Sequence, residues 1–327
     1  GDLVLDAGVR LDYFDPRADF PQVIGEALES DPRLRGERRY KLSPRLEVGF
    51  PVTDRSQLRL SYGVFAQLPS FSDIYGLSGR DIQADLASDN VNNYFGNGHL
   101  AIPRTTAFEA GFTWLATENL YFDFVGYNKD IRGGIAYRWL TPSELLDLGG
   151  VTGREQTRFG KNLFVATNQD QGNIRGLDLS ASRRFNGWWA ASAGYSLSFA
   201  RSTASDPQEF ARAYGKQVIR DPVSGRDVNP TPPSEQTPTD LDQTHSANVT
   251  FSVSVPATFS SGGMAGRLLA RSSAYLTWHF NSGRPYTLVN SQGYLLTGEN
   301  NGGRTKATQS ANLRLSRAVS LGTGRRL

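Results

Sequence analysis

Residues 188–201 read WWAASAGYSLSFAR, and every second side chain in that stretch belongs to one chemical set. Trp189, Ala191, Ala193, Tyr195, Leu197 and Phe199 share one face, while Ala190, Ser192, Gly194, Ser196 and Ser198 share the other. A repeat of two is the mark of a β-strand, whose side chains point alternately to opposite faces of a sheet. The pattern recurs outward in both directions. In 105–116, Phe108, Ala110, Phe112 and Trp114 oppose Thr105, Glu109, Gly111 and Thr113. Leu120, Phe122 and Phe124 then stand against Asp123, Tyr127 and Lys129. Segment 244–256 sets Ala247, Val249, Phe251, Val253 and Val255 against Ser246, Asn248, Thr250, Ser252 and Ser254. At the two ends, Leu3, Leu5, Ala7, Val9 and Leu11 alternate with Val4, Asp6, Gly8, Arg10 and Asp12, and Ala311, Leu313 and Leu315 with Asn312, Arg314 and Ser316.

A soluble antiparallel sandwich also has one apolar and one polar face, so length and connections decide. Soluble strands usually run about 5 or 6 residues; a tilted membrane strand needs about 9 to 11. The runs here are of the longer kind, near 2–13, 40–50, 56–67, 105–116, 119–138, 162–185, 188–201, 244–256, 268–280 and 308–319. Connections 14–39, 68–104, 139–161, 202–243 and 281–307 are long, and 51–55, 117–118, 186–187 and 257–267 are shorter. Asn186-Gly187 reads as a two-residue hairpin turn, and Glu118-Asn119 as another tight reversal. Long loops on one rim and short turns on the other belong to outer-membrane barrels; five structureless loops above about 20 residues do not suit a compact soluble domain. The expected fold is all-β: a transmembrane, antiparallel, up-and-down β-barrel, of which about ten strands are present.

Energetics sharpens the expectation. A Lys or Arg at the lipid midplane costs about 2–4 kcal/mol, so charges belong on the inward face or near strand ends. Asp6, Arg10, Arg45, Glu47, Arg59, Glu109, Asp123, Asp178 and Arg314 all fall on the polar face. Arg183 shares the apolar face of Leu177, Leu179 and Ala181, close to the Asn186-Gly187 turn, where its stem can snorkel to headgroups. Segment 268–280 is the weakest strand, with Ser272 among Leu268, Ala270, Ala274, Leu276, Trp278 and Phe280. Trp114, Trp188 and Trp189 near short turns, and Tyr13, Phe199, Trp278 and Phe280 near long loops, fit interfacial girdles.

Composition excludes several classes. The 327 residues contain no Cys and 3 His, which removes thiolate chemistry and Cys-based metal sites. A net charge of +3 gives no reason to expect a nucleic-acid partner. No apolar stretch approaches the roughly 20 residues of a membrane helix. His99, His245 and His279 lie in different segments without ligand spacing, and Gly262-Gly263 and Gly302-Gly303 precede no helix that could cradle a phosphate. Asn248-Val-Thr250 matches a glycosylation sequon but falls inside an expected membrane strand. Thr141-Pro142-Ser143-Glu144 before Leu145, Leu146 and Gly149 reads as a capped short helix in a loop, and the Pro-rich segment 202–243 as an extended loop. No cofactor is expected.

Residues across nearly the whole chain resemble the TonB-dependent outer-membrane receptors, especially those carrying carboxypeptidase-regulatory-like N-terminal domains. They are Tyr40-Lys-Leu-Ser-Pro-Arg45, Tyr62-Gly-Val-Phe65, Gln67-Leu-Pro69, Gly96-Asn97 with Leu100, Pro103 and Thr105, and Phe108-Glu109-Ala-Gly111. Further on come Tyr127-Asn-Lys-Asp-Ile131, Asn168 through Gly172-Asn-Ile-Arg-Gly-Leu-Asp178, Asp240-Leu-Asp-Gln-Thr-His245 and Ser282-Gly-Arg-Pro-Tyr286. The resemblance implies the C-terminal part of a 22-stranded barrel in the outer membrane of a Gram-negative-type bacterium. It also implies TonB-dependent uptake of a bulky nutrient (siderophore, glycan or peptide), driven through an N-terminal region. Residues 1–327 are read as one partial barrel domain cut from a longer chain, without plug or closing strands, and unable to close into a conducting pore alone. The expected partners are outer-membrane lipid, the TonB energy-transducing complex and the nutrient.

No enzyme activity is expected. Asp240, Asp242 and His245 raise the idea of a barrel hydrolase, but the resemblance makes them a loop-to-strand junction. A non-pumping structural or adhesive barrel is the other alternative. Ligand contact is placed on loop 68–104, where Phe71, Tyr75, Asn92, Asn93, Tyr94 and Phe95 offer flat apolar faces and amides. The same aromatics could instead pack the loop onto its neighbours.

Overall fold

Among the described residues ten long strands follow one another along the chain and pair in the same order. They are β1 (Val4–Phe14), β2 (Arg39–Thr53), β3 (Ser56–Ala66), β4 (Arg104–Thr117), β5 (Leu120–Trp139), β6 (Asn162–Arg183), β7 (Trp189–Ser202), β8 (His245–Ser254), β9 (Ser272–Asn281) and β10 (Thr308–Arg317). Every neighbouring pair is antiparallel. This computed structural model describes residues 2–17, 19–21, 33–76, 92–139, 162–209, 219–220, 227–228, 235–259, 266, 269–288 and 300–319. The expected helix at 141–149 lies outside them. Among the described residues β1 and β10 do not pair with each other, so the sheet is open.

The register turns the period of two into two distinct surfaces. One cross-strand row runs Leu58, Phe112, Phe124, Leu179, and a second runs Ala193, Val249, Trp278, Ala311. On the other side, Asp6, Glu47, Ser61, Glu109 and Tyr127 line up in the same manner. Among the described residues no second sheet stacks on the apolar surface. Phe124 and Phe251 are 39% and 37% exposed and Phe112 is half-buried, so they do not meet in a shared core. An apolar wall of this size is stable only against hydrocarbon, since fully burying each Leu or Phe is worth about 1.5–3 kcal/mol. The paired backbone satisfies the hydrogen bonds that lipid cannot supply.

Several details differ from the sequence expectation. β9 begins at Ser272, not 268, because Arg271 takes a left-handed conformation (φ 61°) that breaks the extended run. The reversal at Asn186-Gly187 is a loop over 184–188 rather than a two-residue turn; Gly187 supplies its positive φ of 84°. Arg183 is held at that turn instead of reaching freely for headgroups. Its guanidinium lies 3.5 Å from the centre of the Trp189 ring and donates to the Trp189 carbonyl at 2.9 Å. Glu118-Asn119 does make a tight reversal, with Thr117 opposite Leu120.

β5 and β6 run well beyond the length needed to cross a bilayer, and a register break at Arg132 and Gly134 marks the change. Above it the long-loop end has a core of its own, built from Leu100, Tyr137, Phe164 and Ala166 with Tyr94 and Ile135 packed against it. The connections expected to be structureless are therefore partly folded.

Candidate functional site

Two surfaces could meet a solute. The first is the polar face of the sheet. Asp6, Arg45, Glu47, Ser61, Phe65 and Glu109 line a depression of about 290 Å³ there. Arg59 Nη2 lies 2.9 Å from Asp123 Oδ1, which also accepts the Thr113 hydroxyl at 2.6 Å; Lys129 Nζ approaches Glu109 at 3.6 Å. The Arg45 guanidinium sits 4.7 Å over the Phe65 ring. Tyr127 lies across Gly176, where a Cβ would come within 2.5 Å of its hydroxyl. The result is a polar wall carrying charges of both signs.

The second surface is the folded loop above β5 and β6. A short helix α1 (Phe71–Tyr75) is capped by Ser70, whose hydroxyl accepts the Asp73 amide at 3.2 Å. Residues Asn92–Phe95 then add a parallel strand to the start of β6. Asn97 donates to the Ala166 carbonyl at 3.0 Å, and Asn168 bonds both the amide and the carbonyl of Ala101, at 2.7 and 3.0 Å. The Tyr137 hydroxyl closes the unit by donating to Asp73 Oδ1 at 2.9 Å. Burial, then that carboxylate, raises the Tyr137 phenol above its ordinary range.

This architecture separates the six candidate residues. Phe95 is 3% exposed, and Tyr94 stacks on Phe164 (ring centres 5.1 Å) and meets Tyr137 edge-on. Both pack the loop. The Tyr75 hydroxyl donates to the Pro16 carbonyl at 2.9 Å, tying α1 to the end of β1. Phe71, 71% exposed and 6.0 Å from the Tyr75 ring, is the aromatic offered to solvent. For Asn92 and Asn93 the backbone alone is described, in the parallel strand.

Asp240, Asp242 and His245 do not converge on an open reaction centre. Asp242, 3% exposed, is bound by Arg304 at 2.5 Å and accepts the Ala200 amide at 2.7 Å. Asp240 accepts from the buried Asn301 amide at 2.7 Å, and His245 Nδ1 is 2.8 Å from the Tyr195 hydroxyl. Asp240 and Asp242 join the segment before β8 to Asn301 and Arg304, and His245 meets β7. Ser282-Gly-Arg-Pro-Tyr286 serves the same junction: Ser282 accepts the His245 amide at 3.0 Å, and Pro285–Tyr286 pairs with Gly303–Arg304. Among the described residues no cluster of His, Asp and Glu could hold a metal ion.

Sequence reading missed two features. Asp170, near the top of β6, accepts from the Thr203 hydroxyl at 3.3 Å; burial above all, then the charges of Glu209 and Asp206, pushes its carboxyl up to about 7. The outward face also carries Arg104, Arg132 and Arg201 towards the long-loop end and Arg175 level with Phe108 and Phe199, so Arg183 is not its lone arginine. Following the alternation past the first 11 or so residues of each strand finds Arg104, Arg132 and Arg201, while Arg175 lies nearer its short turn.

An antiparallel sheet with an oily outer wall, a charged inner wall and folded loops on one rim is the wall of a transmembrane β-barrel. A family model described as TonB dependent receptor-like, beta-barrel matches residues 1–319, and the chain belongs to that family. Solved structures show the same fold at low identity. The FrpB iron transporter from Neisseria meningitidis is 13% identical, with a TM-score of 0.55 over 97% of this chain and 36% of that one. The outer membrane transporter YddB from Escherichia coli is 11% identical (TM-score 0.52; 85% and 34% covered). A mutant of the ferric enterobactin receptor PfeA from Pseudomonas aeruginosa, in complex with enterobactin, is 12% identical (TM-score 0.51; 86% and 34% covered). The chain thus spans about a third of the length of these structures. No curated protein sequence matches it.

Proposed function

We propose that the chain is part of the wall of an outer-membrane receptor that takes up a bulky nutrient of the siderophore, glycan or peptide class. The carrying observation is the sorting of side chains between the two faces of one sheet, which suits a water-filled lumen inside hydrocarbon. Family membership supports energy coupling through TonB. The wall itself performs no bond chemistry in this reading: Arg59–Asp123 and Lys129–Glu109 are ion pairs across strands, and the buried loop carboxylate Asp242 is held by Arg304. Phe71 on α1 is the proposed first contact for solute. The direct test is uptake of labelled ferric siderophores, oligosaccharides and peptides by cells with and without the receptor gene, each with TonB present or deleted. Receptor-dependent uptake of one class that vanishes without TonB is expected. Uptake of all three unchanged by loss of the receptor, or uptake that persists without TonB, contradicts the proposal.

A further inference from the structure

Arg104, Arg132, Arg175 and Arg201 stand on four adjacent strands, β4 to β7, and on the outward face. Arg104 and Arg132 are directly opposed in the register, and Arg175 and Arg201 are diagonal neighbours, Arg201 pairing with Asn173. All four are exposed. Arg132 pairs with Asp130 at 2.7 Å; among the described residues Arg104, Arg175 and Arg201 have no acidic partner.

The position of the row along the strands is specific. Arg132 and Arg201 lie 12 residues from the short-turn ends of β5 and β7, Arg104 lies 13 from that of β4, and Arg175 lies 8 from that of β6. A tilted strand crosses hydrocarbon in about 9–11 residues, so these guanidiniums reach the level where acyl chains give way to headgroups, with the arginine stem covering the shorter distance at Arg175. Below them the same face carries Phe124 and Leu177, and Phe108 stands level with Arg175 in the register. At the opposite rim Arg183 is already occupied by Trp189. Two opposed arginines repel each other unless an anion lies between them, and a planar guanidinium matches phosphate with two parallel hydrogen bonds.

We propose that this arginine row binds the phosphates of an outer-leaflet lipid headgroup, with the lipid's acyl chains lying on the apolar belt beneath. The assignment rests on the membrane reading of the outer wall and goes beyond the transport proposal. It is tested on the full-length receptor purified in a neutral detergent, by native mass spectrometry and thermal stabilisation with bisphosphorylated lipid A. Dephosphorylated lipid A and inorganic phosphate serve as the other arms. Replacing all four arginines (R104Q, R132Q, R175Q, R201Q) is expected to weaken retention of the bisphosphorylated lipid by about tenfold or more. The dephosphorylated lipid should bind wild type and variant alike. Equal retention of bisphosphorylated lipid by both proteins overturns the proposal, as does stabilisation by millimolar inorganic phosphate equal to that by the lipid. Should the fourfold variant not fold, R104Q with R132Q and the comparison of the two lipids on wild type decide the question by the same readout. Quenching of belt tryptophans by brominated lipid, retained in the variant, separates failure of this proposal from failure of the membrane reading.

Discussion

Arg59 on β3 reaches over β4 to Asp123 on β5, its Nη2 2.9 Å from the carboxylate oxygen. Its path passes Gly111, where a Cβ would come within 3.4 Å of the guanidinium. Three strands are thus tied on the polar face by a charge-assisted bond that hydrocarbon could not tolerate unpaired. Asp123→Ala leaves Arg59 without that partner and Thr113 without its acceptor. Because the pair is partly exposed, a loss of about 1–2 kcal/mol is expected, read as a lower urea midpoint for unfolding from lipid vesicles.

Phe71 and Phe95 should separate contact from packing. Phe95→Ala removes a ring that is 3% exposed, so the loop unit should lose about 3–4 kcal/mol, visible as faster hydrogen exchange at 94–101 and 164–168. Phe71→Ala should leave exchange unchanged while weakening solute binding. Equal effects of the two on exchange would remove the distinction.

Asp170 makes the docking of 203–209 depend on pH. Its carboxyl is raised from 3.8 to about 7 in the folded loop, chiefly by burial, with Asp206 and Glu209 adding repulsion and the Thr203 hydrogen bond opposing them. The docked state therefore holds the proton more tightly. Its stability is full below about pH 4 and falls as pH rises from there to about 7. Proteolysis of the 203–209 segment should accelerate over that window, and Asp170→Asn should flatten the profile. A rate that is constant from pH 4 to 8 in the unmodified protein would contradict this.

All ten long strands were legible because the alternation of Trp189 through Phe199, and its counterparts, is strict wherever one face meets hydrocarbon and the other meets water. That constraint ends at the rim, and legibility ended with it. The parallel pairing of Asn92–Phe95 with Asn162–Val165 joins segments about 70 residues apart, and no local pattern encodes it. Asn97, Asn168 and Leu100 belong to the family resemblance in sequence, but their work in bonding the loop down emerges only from the contacts. β9 starts later than the alternation suggests, because Leu268 and Ala270 continue an apolar rhythm that the backbone of Arg271 interrupts.

The outward row shows the same limit. Arg175 and Arg201 obey the alternation faithfully, and their face is apolar only as far as the hydrocarbon extends.

The most direct test places single cysteines in a receptor otherwise free of them, at Phe112, Phe124 and Phe251 on one face and at Thr113, Asp123 and Thr250 on the other. Each is labelled with a bimane fluorophore in lipid vesicles. Brominated acyl chains should quench the first set strongly, while a water-soluble quencher should reach the second. If both quenchers affected the two sets equally, or if the first set were shielded from lipid, the side chains would not be sorted between hydrocarbon and water, and the membrane-wall reading would be wrong.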